Sequence, residues 1–207
     1  MLESALDVVR SLVFAILATF GVNVGTEQPP YSVIARIRDD IEIRAYERRI
    51  VAETAMAASA RGSAFQIVAG YIFGANKGRR KIAMTSPVEI RSPGVKIAMT
   101  TPVEISKSES ALVMRFFMPS SFSLKDLPEP LDARVKLREL EPTTVAVLRF
   151  SGSSNDATVS RHTQELLNAL KATKFKVTDA ATAFFYNPPW TIPFMRRNEI
   201  VVPVSVT

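Results

Sequence analysis

A ten-residue phrase occurs twice in this 207-residue chain, as KIAMTSPVEI over Lys81 to Ile90 and KIAMTTPVEI over Lys96 to Ile105. No other feature limits the fold as tightly. The copies differ only at Ser86 against Thr101, which keeps a hydroxyl. In each copy Ile, Met, Val and Ile take the second, fourth, eighth and tenth places, with Lys, Ala, Thr and Glu between them. That alternation has the period of an extended strand, so each copy is expected to build a half-buried sheet wall. It is not a catalytic motif. The linker RSPGV carries Pro93-Gly94, a turn signal suited to folding the copies against each other.

Similar patterns run through the rest of the chain. YSVIARI and IEIRAY alternate around Asp39-Asp40 and predict a strand–turn–strand unit, with RRIVAETAMA extending the second strand. Phe65, Val68, Ala69 and Ile72 share one face of a helix predicted over Ala60 to Phe73, which stops at Gly74. Strands follow at ALVMRFFMP, ARVKLREL and TTVAVLRF, the first two separated by the Pro-rich loop SSFSLKDLPEPLD. The stretch SGSSNDA supplies N-cap residues for a helix from Asp156 to Thr173, with Val159, Thr163, Leu166, Leu167 and Leu170 inward. ATAFFY and NEIVVPV close the chain as strands around NPPWTIPFMRR. The expected class is α+β: two similar strand–helix–strand halves, with one antiparallel sheet carrying both helices.

Residues 1–29 stand apart. Ser11 to Thr26 is a 16-residue run without charge, about 24 Å long as a helix against a hydrocarbon core of roughly 30 Å. Leu6, Val9, Val13, Ile16 and Phe20 have helical spacing, so an N-terminal apolar helix is expected. It reads as a membrane anchor, a cleaved export signal, or a helix lying on a surface. Localisation is accordingly expected to be membrane-anchored or exported, with cytoplasmic as the alternative. The domain proper is placed at residues 30–207.

Composition narrows the function. There are no cysteines, which removes disulfides, thiolate nucleophiles and cysteine-bound metals. A single histidine, His162, makes a Ser-His-Asp apparatus improbable. No G-x-S-x-G, H-E-x-x-H, P-loop or dinucleotide fingerprint is present, so an enzyme is not expected. The net charge is +6. Residues 1–30 contribute −2 (Arg10 against Glu3, Asp7 and Glu27), leaving +8 on residues 31–207. Such a body suits an anionic ligand or an anionic membrane surface. The basic residues are dispersed and no nucleic-acid-binding motif accompanies them, so nucleic acid is not an expected partner.

The repeated KIAMT-x-PV phrase, together with IEIRAYERRIVAET, YIFGAN, RFFMPSSFSL and FFYNPPWTIPFMRRNEIVV in that order, resembles the SOUL/haem-binding protein family from about Pro30 to Val202. The resemblance implies a distorted, β-barrel-like antiparallel sheet with two helices, and binding of haem or a related tetrapyrrole at a hydrophobic surface beside the first helix. By position it implies Arg61, Phe65, Val68, Ala69 and Ile72 on that helix, with Met84 and Met99 from the repeated strands nearby. A planar apolar ligand needs an apolar wall, and its propionates need cations at the rim. Arg61, Lys77, Arg79, Arg80 and Lys81 are candidates for that rim. Each has a structural reading too: the helix face and the methionines suit a core, and the Lys77–Lys81 cluster suits a solvated turn. His162 is the one imidazole candidate for iron. A histidine early in the chain, which some family members use, is missing here, so protein ligation of iron is expected to be weak or absent. The expected function is non-enzymatic carriage or buffering of a tetrapyrrole. The alternative is a general small-molecule-sensing module in which haem is incidental.

Overall fold

The computed structural model describes residues 26–91 and 112–206. The N-terminal helix expected before residue 26, the second copy of the repeated phrase and Met99 lie outside these residues. Ten strands and two helices follow in the order β1 (Tyr31–Arg38), β2 (Ile41–Tyr46), β3 (Arg49–Met56), α1 (Arg61–Ile72), β4 (Val88–Arg91), β5 (Leu112–Phe117), β6 (Lys136–Leu140), β7 (Thr143–Phe150), α2 (Asp156–Leu170), β8 (Phe175–Val177), β9 (Thr182–Phe185) and β10 (Asn198–Val206). The strands form one sheet in the order β1-β2-β7-β10-β9-β4-β5-β3-β6, with β8 added on β10. All the pairings are antiparallel. The barrel-like expectation is corrected here: β1 and β6 end the sheet without pairing to each other, so it stays open.

Two similar halves meet at the β4–β9 pair. In one, β3, α1, β4 and β5 are successive and β5 lies between β3 and β4. In the other, β7, α2, β9 and β10 repeat the arrangement with β10 in the middle. Each half lends a strand to its neighbour. The strand before β3 is β2, which pairs with β7, and the strand before β7 is β6, which pairs with β3. RRIVAETAMA therefore does not extend the second strand; it crosses to the other half after Glu47-Arg48 as a strand of its own. The exchange ties the halves together by main-chain hydrogen bonds that neither half could make alone.

Strand alternation sorts the core into layers. Ile50, Ala52, Met114 and Phe116 pack under α1, and Ala146, Leu148, Ile200 and Val202 under α2. The intervening residues Val51, Phe117, Val145, Val147 and Val201 join Tyr46, Phe184 and Tyr186 on the opposite face. Ion pairs flank that second layer. Arg115 spans buried Glu53 and Glu89 at 2.7 and 3.1 Å. In the other half, fully buried Glu199 accepts from Arg44 (3.1 Å), Arg197 (2.7 Å) and the Tyr186 hydroxyl (2.6 Å).

The repeated phrase behaves only partly as its alternation predicts. Ile82 is buried in the layer under α1, and Met84, Val88 and Ile90 pack against it. Only Val88 onward is strand, however, and Lys81–Met84 carries no regular structure. β4 is bonded to β5 on one edge and β9 on the other. The expected pairing of the two copies lies outside the described residues.

Candidate functional site

α1 is apolar nearly all round. Ala64, Val68, Ala69, Tyr71 and Ile72 are buried, while Phe65 remains 40% exposed. Its end is set by Gly74 at φ 115°, a conformation that disfavours a side chain. Asn76 then closes the turn: its amide nitrogen donates to the Tyr71 and Arg80 carbonyls at 2.8 Å, and its oxygen accepts from the Arg80 N–H at 3.0 Å. The loop before β6 is stitched to the same helix end. The Tyr71 hydroxyl donates to the Pro128 carbonyl (2.9 Å), the Lys77 N–H to Glu129 (2.8 Å) and the Leu131 N–H to Ala75 (3.1 Å).

Between this loop and the helix lies an open crevice of about 380 Å³, lined on the helix side by Ser63, Gln66, Ile67, Gly70 and Tyr71. Asp132, Arg134 and Val135 form the opposite wall. The volume is at the lower end of ordinary ligand sites. Gly70 leaves the helix surface flat, and Ile67, Val135 and the Tyr71 ring give it an apolar floor. Arg134 grips Asp132 at 2.6 Å, and that hydrogen bond holds the Asp132 carboxyl down to about 2. A ligand carboxylate at this rim would therefore share Arg134 with an ionised Asp132.

Of the residues expected to bind ligand, none of the described ones lines this crevice. Val68, Ala69 and Ile72 fill the core under α1, where the sheet claims the most apolar face. Phe65 sits against Phe116, ring centroids 5.2 Å apart, and half-buried Met84 packs on the same layer. Arg61 pairs with Asp156 at the start of α2, and Lys77 pairs with Glu129. Arg80 donates to the Asp126 carbonyl at 3.1 Å and stands over the Phe122 ring. Arg79 and Lys81 are exposed in the turn.

His162 lies on α2, in the other half. Its ring stacks on Phe150 at 4.2 Å, Nδ1 meets Glu165 at 3.1 Å and Nε2 meets Arg161 at 3.2 Å. Arginine can only donate, so Nε2 is the acceptor and its lone pair is occupied. Among the described residues no cluster of three or more metal-ligating side chains occurs. In the crevice Tyr71 is the side chain most like a ferric-iron ligand. Its hydroxyl is committed to Pro128, and burial pushes its pKa up to about 12, which disfavours the phenolate that iron would need. The residues present thus offer an apolar contact at Ile67 and a cation for a carboxylate at Arg134, but no ligand for iron.

The crevice residues escaped sequence reasoning for a clear reason. The small face Gly62, Ser63, Gln66 and Gly70 was legible as the helix side away from the core, but nothing local brings residues 132–135 to it.

An open antiparallel sheet with both helices on one face, and a ligand-sized crevice beside the first, defines an α+β binding module. A family model described as SOUL heme-binding protein matches residues 26–203, and the chain belongs to that family. It is 32% identical over 92 residues to heme-binding protein 1 of Bos taurus, covering 44% of this chain and 47% of the relative. The matched stretch thus spans about half the length of that curated relative. Among solved structures, the EcmrR C-terminal domain shares the fold at TM-score 0.56 and 11% identity, covering 86% of this chain and 99% of that one. A protein from Listeria innocua described as a hydrolase does so at TM-score 0.57 and 13% identity, covering 83% and 94%. At such identities these likenesses concern the fold alone.

Proposed function

We propose that this chain binds haem or a related tetrapyrrole, without transforming it, in the crevice beside α1, and so carries or buffers the ligand. Family membership supports the ligand class. The observation that carries the location is the flat, partly apolar crevice at Gly70 with Arg134 on its far wall. Bound there, haem would supply its own iron chemistry. Ile67, backed by buried Val135 and Tyr71, would meet one porphyrin face, and Arg134 would hold a propionate. The crevice is open to solvent, which suits a ligand that is handed on.

Titration of the chain with haemin and with metal-free protoporphyrin, followed by absorbance, tests the reading. Saturable one-to-one binding tighter than about 10 µM is expected, equivalent to roughly 7 kcal/mol. Weaker, non-saturating uptake of both would overturn it. A second reading, a broader small-molecule sensor, is favoured by a second crevice of about 330 Å³ between Pro29-Pro30 and Phe117–Phe122. Arg49, on its wall, has a buried Nε without a hydrogen-bond partner. Thermal stabilisation by chemically varied apolar anions, with no preference for porphyrins, would favour that reading.

A further inference from the structure

The loop between β9 and β10 is built unlike an ordinary surface loop. Within six residues Trp190, Phe194 and Met195 stand 63%, 71% and 39% exposed. Single exposed apolar side chains are common, but three together on one projection are not. The loop is also held rigidly. Arg196 donates from Nε to the Thr191 carbonyl (2.8 Å) and from Nη2 to the Pro189 carbonyl (2.7 Å). The Thr191 N–H bonds Pro188, the Met195 N–H bonds Ile192, and the Gly152 N–H ties Pro193 to the neighbouring loop at 2.8 Å. Three prolines restrict what remains. Folding has thus already met the ordering cost of displaying these rings in water, and what it displays is apolar.

Two further observations say what covers it. Arg197, at the base of the loop, donates to the Gln28 side chain at 3.1 Å and through its N–H to Asn187 at 2.7 Å. Gln28 lies two residues after the uncharged run Ser11–Thr26, so the described chain begins close to the base of this loop. The stretch from Asn187 to Arg197 contains no acid; Arg197 is paired with buried Glu199 at 2.7 Å, and Arg196 carries the loop's own positive charge, on a body carrying +8. Aromatic tips backed by arginine suit the boundary between headgroups and acyl chains.

We propose that this knuckle is a membrane-interface anchor, with Trp190, Phe194 and Met195 entering the surface of an anionic bilayer and Arg196 behind them at phosphate level. The proposal is independent of the haem reading. It does not require a spanning helix; among the described residues no helix is long and apolar enough to cross a membrane.

Trp190 is the chain's single tryptophan, so tryptophan emission, excited selectively at the red edge, reports on this loop alone. The full chain is mixed with phosphatidylcholine vesicles with and without phosphatidylglycerol. A blue shift, loss of iodide quenching and quenching by acyl-brominated lipid are expected, at lower lipid concentration when phosphatidylglycerol is present. Phe194→Ser keeps the reporter and removes a side chain that supports no core. It is expected to raise the lipid needed for half the shift by about tenfold, or ~1.4 kcal/mol. Three results overturn the proposal. One is sedimentation with vesicles while Trp190 stays open to iodide, which leaves attachment to residues 1–25 alone. Another is no sedimentation at all. The third is a concentration-dependent blue shift without lipid, which assigns the knuckle to a second copy of the chain.

Discussion

Gly70 is where the proposed site is most directly tested. A Cβ built at this position meets only the Ala75 Cβ, at 3.8 Å, an ordinary contact. Glycine in a helix interior costs up to about 1 kcal/mol relative to alanine, so Gly70→Ala is expected to stabilise the fold slightly. Gly70→Phe is likewise compatible with the helix, but its ring enters the crevice. A buried phenylalanine covers roughly 150 Å² or more. A tetrapyrrole that yields about 100 Å² of that contact loses about 2.5 kcal/mol, nearly two orders of magnitude in Kd. Haemin and protoporphyrin titrations, run beside thermal melts, provide the assay. The expected result is an unchanged or raised Tm with binding weakened from fifty- to a hundred-fold, about 2.3–2.8 kcal/mol. Retained affinity in a folded Gly70→Phe chain would refute the crevice. If Phe65→Ala weakened binding instead, the ligand would lie on the Phe65–Phe116 side of the helix.

Because the crevice offers no ready iron ligand, haemin and metal-free protoporphyrin are expected to bind within a factor of about three of each other, under 1 kcal/mol; a much tighter haemin complex, by the same absorbance titration, would place an iron ligand where none is seen. Arg115→Met leaves buried Glu89 without its ion-pair partner, while Glu53 keeps Arg138 at 2.9 Å, and breaking such a buried pair costs about 3–5 kcal/mol. Urea unfolding should show that loss, with most of it recovered when Glu89→Leu is added. Burial raises the pKa of Tyr71 to about 12 and also raises those of Tyr46 and Tyr186. The folded state then keeps protons that the unfolded chain releases near pH 10, so stability is intact below that pH and falls as pH rises toward 12. Guanidinium midpoints measured across this range should drop, and less steeply in Tyr71→Phe. Asn155 accepts the Thr158 N–H at 2.8 Å as the N-cap of α2, so Asn155→Ala should cost about 1 kcal/mol in the same unfolding assay.

Much of the fold was legible because strands and helices declare themselves through local periodicity. The helix expected over Ala60 to Phe73 is α1 at Arg61–Ile72, and the one expected over Asp156 to Thr173 is α2 at Asp156–Leu170. β8 went unseen because a three-residue strand with one buried side chain, Phe175, carries no period to read. ARVKLREL begins as strand only at Lys136, since the Val135 N–H turns back to the Asp132 carbonyl and places residues 132–135 against α1. Glu89 occupies the polar side of an alternating phrase, which suggests solvent, yet it is buried against Arg115. The helix-free face of the sheet is itself a core.

From the residues alone came the element types, the two-half plan, the family and the apolar stripe of the first helix. Each is a property of neighbours along the chain, or of motifs kept in order. Which half receives β2 and β6, why both edges of β4 are taken, and where the crevice opens were decided only in three dimensions. Periodicity tells a side chain which face it shares, but the partner on that face comes from tens of residues away. The sheet took the greasiest side of α1, and the ligand-sized space was left where Gly70 meets a distant loop.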